Sequence, residues 1–352
     1  MSGIIYAIIA LSFLIFFHEF GHFTAARIFK VKVEVFSIGF GRKLFKKVWG
    51  GTEYCLSAIP LGGYVQMKGQ NDLDPNERSS DFDSYNTKAP WERVIILFAG
   101  PFANFILAFL IYIWIAMLIS PLAPQIGGFS ENSAAYEAGL QINDTIKTIN
   151  GAEINIWQDI REVINKNSGE LNLTILRNNE LLSFKLTPTI IDEKNIFQED
   201  IKVKLAGISP SEARLDGYYR GLNGIKYAWD EFVFASTLTV KSLEKLIFGD
   251  VSPKQLGGII AIVDIGSTAA KTGLAAFLMI VAVISVNLGI LNLLPIPALD
   301  GGHIMFNLYE MIFRRTPNEK VFYYMTIAGW IFLLSLIFFT IYNDITRLLT
   351  GN

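Results

Sequence analysis

The sequence predicts an α-helical polytopic membrane protein with four transmembrane helices, a small membrane-associated β-sheet and one small α/β domain. Hydrophobic residues make up 51% of the 352-residue chain, and its mean hydropathy of +0.38 is too high for an ordinary soluble enzyme. Four apolar stretches reach the roughly 20 residues that a bilayer-spanning helix needs. The α/β domain is predicted from the short, polar, strand-like runs between residues 121 and 205.

The boundaries follow from changes in hydropathy and turn content along the chain. The predicted segments are transmembrane helices at 1–29, 91–120, 271–303 and 321–349, a β region at 30–90, the α/β domain at 121–205, an amphipathic connector at 206–270 and a cytoplasmic loop at 304–320. In the β region, the alternating runs Lys32–Ile38 and Glu53–Ala58 predict strands. Residues 71–90 predict a polar loop that leads into the second span.

The positions of the charges predict the orientation in the membrane. Between the first two spans, seven basic residues lie close to the membrane against one acid, Glu34: Arg27, Lys30, Lys32, Arg42, Lys43, Lys46 and Lys47. Basic residues favour the cytoplasmic side. The long segment between spans two and three is therefore expected outside, and the lipid bilayer is an expected partner. The net charge of −2 gives no reason to expect a nucleic-acid partner.

One short motif carries metal chemistry. The run His18-Glu19-Phe20-Gly21-His22 lies in the first predicted span. In a helix, positions i and i+4 share one face, so both histidines can bind one ion while Glu19 lies beside the first ligand as a candidate general base. The single cysteine, Cys55, excludes a paired-cysteine site. The alternative is a structural polar patch inside the span, which is costly in a membrane.

A hydrolytic zinc site takes three protein ligands, so a third is expected elsewhere. Asp300 is the candidate, because it follows a helix-breaking run with Pro295 and Pro297, and broken backbone at membrane depth is tolerated where it lines a site. Spans one and three cross in the same direction, so their carboxyl ends meet at one face. His303, three residues further on, is a competing third ligand.

The α/β domain resembles a PDZ domain. The resembling residues run from Ser133 to Leu140, through Asn143-Asp144, to Ile149-Asn150-Gly151. Asn143 replaces the usual glycine, and asparagine tolerates the same left-handed backbone. The resemblance implies a peptide groove that includes Gly139 and Leu140. Such a domain would act as a filter that admits only shortened substrates. The alternative is that it is a folded spacer.

The whole chain resembles the site-2 protease family of intramembrane zinc metalloproteases. The motifs are the His18–His22 run, Gly100-Pro101-Phe102-Ala103-Asn104 in the second span, the PDZ-like segment, and the run from Asn292 to Gly302. The resemblance implies Zn²⁺ held by His18, His22 and Asp300, and Glu19 as the catalytic base. It also implies substrate binding by Asn292, Asn104, Pro295 and Pro297. For the two asparagines the alternative is a hydrogen bond between helices inside the membrane.

The same resemblance implies a multi-pass protein of the bacterial inner membrane, with its PDZ domain on the periplasmic or outer side and its active site toward the cytoplasm. Its partners would be single-span membrane-protein substrates shortened first by another protease. Two departures are that well-known members carry two PDZ domains, and that Ile259 follows Gly257-Gly258 where relatives often have proline. Two other functions remain open, an inactive PDZ-bearing scaffold and a transporter, although the chain has no inverted repeat.

Overall fold

The structure is a computed structural model that describes residues 2–70, 79–131, 133–316 and 318–350. Residues 71–78 of the predicted polar loop lie outside the described residues. The chain forms two compact units. The first contains residues up to Ile115 and from Lys226 onward, and the second contains Ala116–Ile225.

The regular elements are numbered in chain order. The helices are α1 (Ser2–Ile28), α2 (Pro90–Leu118), α3 (Ala134–Glu137), α4 (Trp157–Lys166), α5 (Leu222–Phe248), α6 (Ile259–Thr272), α7 (Leu274–Asn292), α8 (Asp300–Phe313) and α9 (Glu319–Thr350). The strands are β1 (Val33–Trp49), β2 (Thr52–Met67), β3 (Ile126–Phe129), β4 (Thr145–Ile149), β5 (Ala152–Glu153), β6 (Leu171–Arg177), β7 (Glu180–Leu186), β8 (Thr189–Lys194), β9 (Asp200–Leu205) and β10 (Ile208–Pro210).

Four helices of the described chain are long and apolar enough to cross a membrane: α1, α2, α7 and α9. All four belong wholly or mainly to the first unit. Few of their residues are buried; in α9 the most apolar window is only 11% buried. Apolar side chains that the fold leaves exposed on a long helix are expected against lipid. The chain is therefore a membrane protein with the predicted four candidate spans.

The third predicted span and the loop after it are corrected by the structure. The span was expected at 271–303, but α7 ends at Asn292 and helix resumes only with α8 at Asp300. Pro295 and Pro297 lack backbone N–H groups and restrict the residues before them, which stops the helix. The predicted loop at 304–320 is helical as far as Phe313.

The predicted β region is one strongly bent hairpin, β1 paired with β2. β1 bends at Gly39 and Gly41, which both have positive φ, a conformation that glycine adopts without strain. Residues 35–38 consequently pair with two parts of β2, residues 53–56 and 63–66. The segment 63–67 is thus an edge of this small sheet. Phe36 packs edge-on against Phe16 and Phe23 of α1, which fixes the sheet beside that helix.

The second unit has a core of its own. Its four-stranded sheet has the order β5-β4-β6-β7, and β10 pairs with β3. Alternate residues of the sheet and one face of α4 fill the core: Ile146, Ile149, Ile160, Ile164, Leu171, Leu173 and Ile175. The strand-like runs predicted between residues 121 and 205 include β4, β6 and β7, and these sheets are compatible with the predicted PDZ domain.

The predicted connector at 206–270 is corrected as well. Its first residues belong to the second unit, because β10 pairs with β3 and Arg214 bridges to Leu122. Most of the remainder forms α5 and α6. The α6 helix packs along α1, and its first N–H groups donate to the buried carboxylate of Asp344 in α9. Such a cap satisfies the donors that a helix start leaves unpaired.

Candidate active site

Helix α1 places the His-Glu-x-x-His motif at one face. His18 and His22 are 8% and 7% exposed, and their Nε2 atoms lie 3.2 Å apart. One turn of helix separates the two rings, so the i, i+4 spacing brings them together as the sequence predicts. Glu19 is half-buried and lines the same cavity.

Helix α2 shapes the site from the opposite side. A Cβ atom at Gly100 would lie 2.3 Å from Nε2 of His22, and one at Gly21 would lie 2.2 Å from the carbonyl oxygen of Ala99. No side chain fits at either position, so glycine is required for this close approach. Pro101 removes one helix hydrogen bond in the same stretch. Nearby, the carbonyl oxygen of Ile96 accepts a hydrogen bond from Nδ1 of His22 at 2.9 Å.

The break between α7 and α8 delivers Asp300. Asp300 is the first residue of α8, after Leu299 with extended backbone. The start of α8 packs tightly on the broken segment, because a Cβ at Gly301 would lie 2.3 Å from the carbonyl oxygens of Leu293 and Leu294. The two prolines and the following glycines therefore act together: the prolines end one helix, and the glycines let the next begin against it.

Three potential metal ligands converge. The Oδ2 atom of Asp300 lies 3.1 Å from Nε2 of His18 and 3.5 Å from Nε2 of His22. The three ligand atoms lie within 4.8 Å of one another. Two imidazoles and a carboxylate are the donor set of a catalytic zinc site.

The hydrogen bonds of His22 and Asp300 are consistent with a cation bound between their side chains. The His22 ring donates through Nδ1 to a carbonyl, so in the neutral ring Nε2 carries a lone pair. The Oδ2 atom of Asp300 is buried and makes no well-formed hydrogen bond in the described structure. A buried carboxylate oxygen without a donor is costly, and a cation shared with the two rings removes that cost.

Asn104, predicted to bind substrate, lies elsewhere. Its side chain is completely buried, and its amide nitrogen lies 3.1 Å from Nδ1 of His18. Its backbone oxygen accepts a hydrogen bond from Ser285 of α7 at 2.8 Å. A side chain enclosed by α1 and α7 cannot reach a substrate, so this prediction is corrected. Its neighbour is instead the ring of His18, a candidate metal ligand.

The other predicted residues separate into two groups. Asn292 lines the cavity of about 680 Å³ that contains His18, Glu19, His22 and Asp300. Pro295 and Pro297 do not line it; Pro297 packs against Gly302 and Gly329. His303 is not among the converging ligands, and its ring stands edge-on to Phe322, with centroids 5.7 Å apart. Asp300 is therefore the third ligand that the geometry supports.

A sheet edge lies along this cavity. Residues 63–67 of β2 line it, and they pair with β1 on one side. A Cβ at Gly63 would lie 3.3 Å from Cγ of Glu19, so the edge and the acid are neighbours. An unpaired strand edge offers backbone donors and acceptors to an extended peptide.

The predicted PDZ groove residues do not form a groove. The backbone N–H groups of Gly139 and Leu140 already donate to carbonyls of the preceding turn, and the Leu140 side chain is 2% exposed in the core. This prediction is corrected, because neither residue has a free N–H. A different groove of about 400 Å³ runs between α4 and the chain at 204–209.

Comparison with known proteins identifies the family. A sequence model described as peptidase family M50 matches residues 6–336. The chain belongs to peptidase family M50. A Campylobacter jejuni protein named "Putative zinc metalloprotease Cj1068" is 50% identical over 343 residues, which cover 97% of this chain and 93% of that protein. A Haemophilus influenzae protein named "Regulator of sigma E protease" is 31% identical over 436 aligned residues, 97% and 98% of the two chains.

A third relative, from Helicobacter pylori, also carries the name "Putative zinc metalloprotease" and is 42% identical over 98% of this chain and 99% of its own length. The site-2 protease family predicted from the motifs is thus confirmed. Peptidases of family M50 depend on zinc, which confirms the predicted cofactor.

Sequence reasoning overlooked two partners of the histidines. Gly100 was recognised only as part of a motif, and the Ile96 carbonyl was not recognised at all. The glycine next to a proline inside an apolar helix was the available signal for close packing. A backbone carbonyl leaves no signal in sequence, because every residue has one.

Proposed function

We propose that this M50 protein is an intramembrane zinc metalloprotease, which hydrolyses peptide bonds in the transmembrane segments of single-span membrane proteins. One observation carries the proposal: His18, His22 and Asp300 converge beside Glu19 in a cavity lined by residues of the four candidate spans and of the β1–β2 hairpin. Ionisable groups are costly inside a membrane and mark functional sites there.

In this proposal His18, His22 and Asp300 hold the zinc and Glu19 is the catalytic base. Bound zinc supplies a Lewis acid that activates water and polarises the scissile carbonyl. Glu19 takes a proton from the attacking water and returns it to the leaving amine. Its side chain reaches the same cavity as the ligands, which is where such a proton transfer has to occur.

Asn104 positions His18 in this scheme. For Nε2 of His18 to bind a metal, the neutral ring carries its proton on Nδ1, which then needs an acceptor. The oxygen and nitrogen of an amide have nearly the same shape. Turning the Asn104 amide brings Oδ1 to Nδ1 of His18, and this also satisfies Oδ1, which is buried without a partner in the described structure.

The substrate is held as an extended strand. A helical substrate hides its carbonyls in its own hydrogen bonds, so it unwinds before attack. The edge at 63–67 pairs with the unwound segment and directs it past Glu19 and the metal ligands. Asn292, which lines the cavity, holds a freed backbone group. The carboxyl end of α1, which carries His18 and His22, faces the cytoplasm of a bacterial inner membrane, because basic residues follow it in the chain.

The decisive experiment measures cleavage of a fluorescently tagged single-span substrate by detergent-purified protein. Glu19→Gln removes the base but keeps the size of the side chain, so we expect cleavage to fall by about 10²- to 10⁴-fold while zinc content is retained. The matched control is Asp264→Asn, which neutralises an exposed acid on α6 and is expected to cleave normally.

Each other outcome selects a rival. Undiminished cleavage by Glu19→Gln would refute the proposed mechanism. A protein without zinc and without activity would favour the inactive scaffold. Substrate-dependent flux across proteoliposomes, with no cleavage, would favour a transporter.

The second unit acts as a PDZ-type filter on the outer side, which admits substrates already shortened by another protease. Its candidate groove carries apolar side chains of α4 beside Lys204 and beside Arg161, which is paired with Glu193. The apolar lining and the Lys204 cation suit a peptide with a free carboxylate. Because Ser120 donates to the Asp216 carboxylate at 2.8 Å, residues 121–215 can be deleted with their ends joined. We expect the deletion variant to cleave an unshortened substrate that the wild type rejects; unchanged selectivity would make the unit a spacer.

A further inference from the structure

The distal part of the β1–β2 hairpin differs from the rest of the sheet. Every residue from 41 to 50 is exposed. We call residues 42–49 the basic arm: four are basic, Arg42, Lys43, Lys46 and Lys47, and four are apolar, Leu44, Phe45, Val48 and Trp49. The apolar side chains are 56% to 74% exposed. These four exposed apolar side chains form two adjacent pairs. Such exposure indicates a surface that another molecule covers in the cell.

Both faces of the arm have this mixed character. Side chains alternate from Phe45 to Trp49, so Phe45, Lys47 and Trp49 share one face and Lys46 and Val48 share the opposite face, while a bulge interrupts the alternation between Lys43 and Phe45. A strand that packs on a protein core buries one face and exposes polar residues on the other. Basic and aromatic side chains together are instead typical of the interface between lipid and water, where Trp and Lys keep their apolar parts in lipid.

The position of the arm agrees with that environment. The carbonyl oxygen of Gly50, at the tip, accepts a hydrogen bond of 3.3 Å from Arg27. Arg27 lies in the last turn of α1, whose candidate span runs from Ile5 to Ile28. The tip therefore lies level with the end of the span. Tyr54, opposite the arm, packs against Phe23 of α1 and Trp49, which holds the arm there.

The charge that the arm offers is positive. Lys43 is paired with Glu53, and this contact lowers the pKa of Glu53, so the pair is neutral overall at neutral pH. Arg42, Lys46 and Lys47 have no carboxylate at ion-pair distance among residues 2–70, 79–131, 133–316 and 318–350. Three positive charges thus remain beside exposed apolar side chains at the membrane surface.

We propose that the basic arm is a docking surface for anionic phospholipid headgroups of the leaflet at the carboxyl end of α1. The apolar side chains enter the headgroup boundary and the three free cations contact lipid phosphates. Each basic residue near an anionic surface contributes about fivefold in affinity, so three give on the order of 100-fold preference over zwitterionic lipid. Docking fixes the sheet, including its edge at 63–67, relative to the bilayer.

The test measures how deep the arm lies in lipids of different charge. Cys55 is the only cysteine, so Cys55→Ser with Val48→Cys carries one nitroxide on the full-length protein. Oxygen and a water-soluble nickel chelate report its depth in nanodiscs of phosphatidylcholine, with and without phosphatidylglycerol. We expect phosphatidylglycerol to raise collisions with oxygen and lower those with nickel, and soluble glycerol phosphate not to reproduce the change.

A matched pair of charge variants tests the cause. Arg42→Gln/Lys46→Gln/Lys47→Gln is expected to abolish the lipid dependence, whereas Lys147→Gln/Lys194→Gln/Lys202→Gln, which removes three exposed charges of the second unit, keeps it. A label at Ile9→Cys, 60% exposed on α1, must lie in lipid in both nanodiscs; otherwise the membrane span itself is wrong. Equal depth at position 48 in both lipids, or a change caused only by added substrate protein, would overturn the proposal.

Discussion

Two aspartates, one in each unit, show how a structural acid differs from a functional one. Asp144 is 1% exposed, and both of its carboxylate oxygens accept hydrogen bonds from Arg177 at 2.7 Å. Its carboxylate also accepts from the backbone N–H of Gln141. Asp300 faces two imidazoles and has an oxygen without a hydrogen-bond donor in the described structure.

The contrast lies in how the negative charge is compensated. Asp144 raises the pKa of Arg177, so this cation stays charged at every pH below the ordinary arginine range and the protein supplies the compensating charge itself. At Asp300 the neighbouring rings, when neutral, turn lone pairs toward the carboxylate, and a cation bound by all three groups would then compensate its charge. Asp300, whose buried oxygen has no hydrogen-bond donor in the described structure, belongs to a candidate metal site. Asp144, whose carboxylate oxygens both accept hydrogen bonds, stabilises the fold of the second unit.

The largest effect is expected from Asp300→Ala. Loss of a direct ligand should weaken zinc binding by more than about 100-fold, since even outer-shell partners contribute 10- to 100-fold, and cleavage should stop. Metal titration by competition with a chelating dye, together with circular dichroism, measures both binding and helix content. Zinc affinity close to that of the wild type would show that another residue completes the site.

Asp144→Asn tests the opposite side of the comparison. Asp144→Asn leaves the partly exposed Arg177 without its carboxylate partner, and we expect the second unit to lose about 1–3 kcal/mol of stability with zinc affinity unchanged. Hydrogen exchange of β4 and β6 amides in the full-length protein measures the loss. Loss of zinc from Asp144→Asn would contradict the conclusion that Asp144 is structural and Asp300 functional.

Asn104 tests the functional side of the comparison between the two aspartates, because its proposed role is to position the zinc ligand His18. Asn104→Leu removes the partner of the His18 ring at similar volume, so we expect zinc affinity to fall by about 10- to 100-fold. Asn104→Asp keeps an acceptor for Nδ1 and is expected to retain most of the affinity. If both variants bound zinc equally weakly, the residue would serve packing alone.

The smallest effect is expected from Asn292→Ala. Loss of one hydrogen bond to substrate should lower kcat/KM by about fivefold, because a net hydrogen bond contributes about 1 kcal/mol, with zinc content unchanged. Asn287→Ala on the same helix is the control. The side-chain oxygen of Asn287 accepts a hydrogen bond from Thr239 at 2.5 Å, so this asparagine is engaged within the protein and not with substrate. Normal cleavage by Asn292→Ala would remove it from the mechanism.

Much of the site was predictable because its signals are local. The i, i+4 histidines need only the geometry of one helix, and the Pro-x-Pro and Gly-Gly run before and after Asp300 marks a helix break wherever it occurs. The correction of Asn104 has a different origin. Its sequence neighbours suit a lining residue, but the packing of α1, α2 and α7 encloses it beside His18.

The sequence by itself determined the four candidate spans and the motif on α1, because hydropathy and helical periodicity are properties of neighbouring residues. The family and its metal followed from the resemblance of the motifs to known proteases. Only the tertiary structure decided that Asp300 rather than His303 joins the histidines, that β10 belongs to the second unit, and that Leu140 lies in the core of that unit. These facts depend on contacts between residues far apart in the chain, and one sequence carries no direct record of such contacts.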